Sequence, residues 1–331
     1  MADKSSRALV IYGDGFAPLV TSSHSDLHSF ASLSCCGFLS LRDSPPSENE
    51  NEREVRELAQ LLDAFDYYIS LKGGENETDS EREPKEALPV QKISERFMGL
   101  SAALITASST GIRSFARDIG FTVLQIDELI MQSNTGNDHP KRPCHDLSVT
   151  SELLQLLGFS KGMVLEKAQF DLVFFHIRAN ETVKVLKDKM AVRTDVEWLN
   201  KFVGEIMQTV NSQEEIASRL LFSTILSYGI VSEKDCTGST ASLAPMKMNS
   251  DLSLLRPRQS YTMKQGIVLS HIRNHHPMIL AQWQNAVTRR DMSKEFTFSE
   301  IKQHGCNLSM LSDRFLHEVA FKLWKAPKYG A

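Results

Sequence analysis

The sequence predicts an α/β protein with one mostly parallel sheet flanked by helices on both faces. Three observations lead there. Short, continuously apolar runs recur along the chain, as strands buried on both faces require. Segments of helical period separate them, the alternation of a parallel sheet with crossover helices. The first run, Ala8-Leu9-Val10-Ile11-Tyr12, ends in Gly13-Asp14-Gly15, a sharp turn that sets one carboxylate at a strand's carboxyl end, where ligands of open α/β sheets bind.

After this first strand, Leu27, Phe30 and Ala31 mark a helix and Gly37-Phe38-Leu39 a second strand. Residues 43–54, polar with Pro45 and Pro46, read as a loop leading into a helix on which Val55, Leu58, Leu61, Leu62 and Phe65 share a face. Residues 73–89, from Gly73-Gly74 through Glu75, Glu77, Asp79, Glu81 and Glu83, lack the apolar groups to cover a core. Both acidic loops are expected to be mobile, with solvation as their plain role and phosphorylation or partner docking as further uses. Ala102–Ala107 reads as a strand, Ile112–Ile119 as a helix stopped by Gly120, and Phe121–Ile126 as the next strand. Residues 133–148 form a third soft region. Phe170–Ile177 is the strongest strand in the chain, and Asp195 is placed to cap a long helix bearing Val196, Leu199, Val203, Ile206, Met207 and Val210. A strand is placed within Leu220–Val231, with a helical continuation as the other reading of that stretch. Met278–Trp283 is a further strand, and Asp313–Trp324 an amphipathic closing helix.

Composition sets limits on function. The 331 residues suffice for a full core, and 41% apolar with 24% charged residues is the balance of a soluble globular protein. A net charge of −4 gives no reason to expect nucleic acid or an anionic membrane as partner. No apolar run reaches the length of a spanning helix, and the amino terminus is a poor signal peptide. Cys35, Cys36, Cys144, Cys236 and Cys306 have no CxxC spacing and read as reduced thiols, so the expected location is the cytoplasm or nucleus. Cys35-Cys36, in an apolar neighbourhood, read as buried structural thiols.

Several stretches carry a resemblance. Ala8–Gly15 is similar to an opening strand with an Asp-Gly metal turn, and Gly99–Ala107 to an internal GLRAAVITA-like segment. Phe170–Ala179 (FDLVFFHIRA) is similar to a YDFVFVHVKA strand. His271, ahead of Pro277-Met278-Ile279-Leu280, is similar to the His of an HSGDPVP-like segment, and Phe298–Gly305 to a closing FDE…G element. In this order the segments resemble the archaeal-type cofactor-independent phosphoglycerate mutases of the alkaline phosphatase superfamily. The resemblance implies a single alkaline phosphatase-like domain over 1–331, with 90–150 as a remnant of the family's inserted substrate subdomain. It also implies a glycolysis-related phosphotransfer site with two divalent metals, manganese or magnesium, and a phosphorylated serine.

The departures fall on that site. Where the family has a DEAGHDGD-like loop, this chain reads Asn180-Glu181-Thr182-Val183-Lys184-Val185-Leu186-Lys187-Asp188, with Val185 in place of an imidazole. The Asp-His pair expected after Leu220–Val231 is replaced by Ser232-Glu233-Lys234-Asp235-Cys236. The nucleophile motif is missing, which leaves Ser44 and Ser47 as the serines in its place, without the motif's accompanying His or glycines to support a nucleophile. The implied metal set is Asp14, Glu181, Asp188, Asp235 and His271. Arg178, Lys184 and Lys187, clustered on and after a strand end, are candidates for an anion site, with a solvated loop as the plain alternative. His176, on the strongest strand, is expected to find a partner inside the protein. The preferred reading is a catalytically reduced relative that binds a phosphorylated ligand or a protein partner. The competing readings are an active metal-dependent mutase or phosphatase using substitute ligands, and a scaffold.

Overall fold

The computed structural model describes residues 6–45, 47–73, 90–126, 147–160, 162–179, 195–231, 251–252, 261–264, 266–304 and 308–328. Eight strands form the central sheet: β1 (Arg7–Asp14), β2 (Cys35–Ser40), β3 (Ala102–Thr106), β4 (Thr122–Gln125), β7 (Leu172–Arg178), β8 (Leu220–Leu226), β11 (Met278–Trp283) and β12 (Leu308–Leu311). Two small antiparallel hairpins, β5–β6 (Phe159–Ser160 with Met163–Val164) and β9–β10 (Met263–Lys264 with Ile267–Val268), lie outside it. The order is β12-β2-β11-β8-β1-β7-β3-β4. Every pairing is parallel except those of β11, which runs antiparallel to both β2 and β8. This is the mostly parallel architecture that the apolar runs predict.

The strands expected from those runs are all present within a residue or two, and β1 and Leu172–Arg178 are parallel neighbours, as expected. The stretch Leu220–Val231, open between strand and helix, is β8 up to Leu226. Thr110–Asp118 is the helix ahead of β4. Gly120, at φ +95°, takes the left-handed turn after it that a side chain would strain. Asp195 opens the helix Asp195–Asn211, and the closing helix is Phe315–Lys322, entered through a 3₁₀ turn at Ser312–Arg314.

Two core layers cover the sheet, and β1 shows why the sequence chooses this arrangement. Leu9 and Ile11 pack with α1 (Ser25–Leu33) and helix Asp195–Asn211, whereas Ala8, Val10 and Tyr12 pack with α2 (Glu50–Leu61) and the closing helix. Successive side chains of a strand point to opposite faces, so a strand covered on both sides must be apolar throughout. Leu172 and Phe174 likewise face the α2 layer, while Val173, Phe175 and Ile177 face the other. This parity places the functional residues below.

The main correction concerns residues 43–54. The helix expected from Val55 onward begins at Glu50, with Asn49 and Glu52 exchanging side-chain and backbone hydrogen bonds in a capping box. Arg53 and Glu54, which the polar composition assigns to a loop, are buried. The helix also ends at Leu61, and Phe65 belongs to a separate helix, Phe65–Gly73. Apart from Gly73, the acidic stretch 73–89 lies outside the described residues, as does most of 133–148. Of residues 90–150, the described part supplies β3 and β4 to the main sheet. Cys36 is buried, and burial pushes its thiol up to about 12; the half-buried Cys35 is also raised by burial, as inert structural thiols are.

Candidate functional site

The strands alternate, so Tyr12 and Asp14 of β1 and His176 and Arg178 of β7 all face α2. The register sets Tyr12 beside His176 and Asp14 beside Arg178. Residues Arg53, Glu54 and Glu57, in the first turns of α2, point back at them. The result is a buried group of charges at the carboxyl end of the sheet.

Asp14 and Arg53 form its centre. One guanidinium nitrogen donates to Asp14 Oδ1 at 2.9 Å and the other to Oδ2 at 2.6 Å, a two-pronged pairing. Ser227, just past β8, donates its hydroxyl to Oδ1 at 2.6 Å and accepts the backbone N–H of Gly15 at 3.1 Å and of Gly229 at 3.3 Å. Arg53 also donates to Glu57 Oε2 at 3.0 Å, toward which the Tyr12 hydroxyl points from 3.4 Å. Burial opposes ionisation of Asp14, but the bonds and charge of Arg53, with help from Ser227, hold its carboxyl below the usual value. For Arg53 burial works the same way, and Asp14 and Glu57 overcome it to keep the guanidinium charged. Tyr12 is pushed well up, by burial first and then by Asp14 and Glu57.

His176 lies beside this pair. Its Nδ1 is 3.0 Å from the Thr106 hydroxyl, its ring stacks on Tyr12 with centroids 5.1 Å apart, and Nε2 is 3.5 Å from Glu54 Oε1. Burial lowers its pKa to about 4, so the ring is neutral at pH 7 and its contact with Glu54 is not an ion pair. Arg178 reaches Glu50 at 2.5 Å and Glu54 at 3.7 Å, and Arg273 reaches Glu57 at 3.6 Å. The carboxylates of Asp14, Glu54 and Glu57 are thus matched by the guanidiniums of Arg53, Arg178 and Arg273 from within the chain.

This arrangement decides how well a metal fits. Asp14, Glu54 and His176 each offer a donor atom, all within 4.8 Å of one another. Such a set, with a neutral imidazole, could hold one divalent ion. Both oxygens of Asp14, however, are already bonded to Arg53, and one of them also to Ser227. Among the described residues a pair of dications does not fit this donor set: it would sit against Arg53, whose charge already counters Asp14 and Glu57. A single ion would first have to displace the guanidinium.

Of the residues singled out in the sequence, Asp14 is at the centre and His176 finds its partners within the protein. His271 sits at φ +61° with its imidazole 83% exposed and 3.9 Å from Asp43, and among the described residues it is not part of the donor group of Asp14, Glu54 and His176. Ser44 accepts a hydrogen bond from Arg56, and both Ser44 and Ser47 are exposed. Arg178 pairs with Glu50 and Glu54. Glu181, Lys184, Lys187, Asp188 and Asp235 lie outside the described residues. Sequence reading missed Arg53, Glu54 and Glu57. Their signal was positional: Glu54 and Glu57 stand four residues before Leu58 and Leu61, and Arg53 four before Glu57, so the charges continue the apolar stripe of α2.

No protein-family model and no curated protein sequence matches the chain. Solved structures do. The chain is similar to the PH0037 protein of Pyrococcus horikoshii, with 11% identity over all of both chains and a TM-score of 0.51. It is similar to a protein in the alkaline phosphatase superfamily from Vibrio parahaemolyticus, at 9% identity over 87% of this chain and 62% of that one, with a TM-score of 0.43. It is also similar to the cofactor-independent phosphoglycerate mutase of Thermoplasma acidophilum DSM 1728, at 8% identity over 96% and 100% of the two chains, with a TM-score of 0.41. What is shared with PH0037 is the fold alone.

Proposed function

We propose that this chain is a phosphoglycerate mutase-like relative of the alkaline phosphatase superfamily that acts by binding a phosphorylated ligand or a protein partner rather than by turnover. The observation that carries the reading is the two-pronged hold of Arg53 on Asp14. In the resemblance drawn from the sequence, Asp14 is the metal ligand of the opening strand, and here a guanidinium of the same chain supplies its counter-charge. A fixed organic cation cannot polarise a phosphoryl oxygen as a Lewis acid or generate a metal-bound nucleophile. Further support comes from the serines: the Ser44 hydroxyl accepts a hydrogen bond from Arg56, a cation that cannot act as its general base.

A second reading is an enzyme with a single metal, favoured by the closeness of Asp14, Glu54 and His176. An assay of 2- and 3-phosphoglycerate interconversion with added manganese or magnesium separates the two. The binding reading predicts no turnover. Metal-dependent turnover that Asp14→Ala abolishes would promote the enzyme.

A further inference from the structure

We propose that Ser44 is a phosphorylation site and that Arg56 is the built-in reader of its phosphate. The inference is independent of the function proposed above.

Ser44 is exposed in the irregular segment between β2 and α2 and is followed by Pro45, the sequence that proline-directed protein kinases take in extended chain. The sequence alone allows phosphorylation at any serine of this acidic loop. The structure singles out Ser44 by what lies beneath it. Arg56, on the second turn of α2, donates from one terminal nitrogen to Ser44 Oγ at 2.7 Å. Its side chain is only 2% exposed. Its Nε is 2.7 Å from Glu48 Oε1, and its other terminal nitrogen donates to the Arg42 carbonyl at 3.2 Å. A guanidinium fixed in this way loses little freedom on meeting a phosphate, and the terminal nitrogen that already meets Ser44 Oγ is the charged donor it presents.

The modification is an ordinary phosphoryl transfer from ATP. Ser44 Oγ attacks the γ-phosphorus, the new O–P bond forms as the bond to the β,γ-bridging oxygen breaks, ADP departs, and the hydroxyl proton passes to the kinase's base. The phosphate adds ≈ −1.5 to −2 charges beside Arg56. Asp43 and Glu48 flank it and oppose it. The same Arg56 nitrogen that meets Ser44 is 3.8 Å from Glu57, the carboxylate that Arg53 also binds. Phosphate on Ser44 therefore draws on the charges that close the buried site.

The test uses the full-length protein, ATP and a proline-directed kinase, with Ser44→Ala and Ser47→Ala as site controls and peptide mass spectrometry to locate the phosphate. A ³¹P titration of the product is then run folded and in urea, so that the unfolded chain is its own reference. The expected result is phosphate at Ser44, absent in Ser44→Ala and kept in Ser47→Ala, with its second ionisation at least about 0.5 pH unit lower folded than in urea because Arg56 favours the dianion. In Glu48→Gln, which leaves Arg56 and Ser44 in place, that difference should widen. No phosphate at Ser44, or an equal midpoint folded and unfolded, overturns the proposal.

Discussion

Arg53 grips Asp14 through both of its carboxylate oxygens, at 2.9 and 2.6 Å, with the two side chains 5% and 1% exposed. A strand end that carries a buried carboxylate needs a cation close by. α2 supplies one by starting at Glu50, early enough to bring Arg53 over β1. The charge balance of the site is thus a property of the fold.

Removing the guanidinium leaves Asp14 and Glu57 buried without their nearest counter-charge. Arg53→Ala should cost about 3–5 kcal/mol of stability, read as a lower urea midpoint at unchanged slope. Arg53→Lys should recover only part of the loss, because an ammonium cannot make the two parallel bonds.

His176 predicts a pH dependence. Burial holds its folded pKa at about 4 against an ordinary 6.5, so the unfolded chain binds the extra proton first. Its contribution is fully present above pH 6.5 and is lost as pH falls toward 4, a change of about 3 kcal/mol at 1.36 kcal/mol per unit. Denaturation midpoints between pH 7 and 4 should fall in the native protein and fall less in His176→Gln. Equal slopes in the two proteins would contradict this account.

Gly37 is needed for a close approach. A Cβ there would lie 2.0 Å from the carbonyl oxygen of Leu308, its partner residue in β12. Gly37→Ala should push the edge strand off β2 and cost roughly 1–3 kcal/mol, as overpacking does. Amide exchange should speed up first in Leu308–Leu311.

The fold was largely legible because β1, β3, β7, β8 and β11 are apolar on both faces, a pattern that only double burial explains. Asp14 was legible from its Gly-Asp-Gly turn. Its partners were not. Glu-Arg-Glu-Val-Arg-Glu over 52–57 has the composition of a solvated helix start, and only tertiary packing turns Arg53, Glu54 and Glu57 inward. His271, matched by a motif-like position, has an exposed imidazole beside Asp43, a placement that no sequence pattern marks.

The most direct test of the central claim is a divalent-metal titration of the native protein, with Asp14→Asn as control. If Arg53 is the cation of this site, manganese and zinc should show no stoichiometric binding that depends on Asp14, whereas Arg53→Ala, with the Asp14 carboxylate released beside Glu54 and His176, should gain a single site and recover stability on metal addition. Native protein that takes up one or two equivalents of metal, lost in Asp14→Asn, would contradict the account.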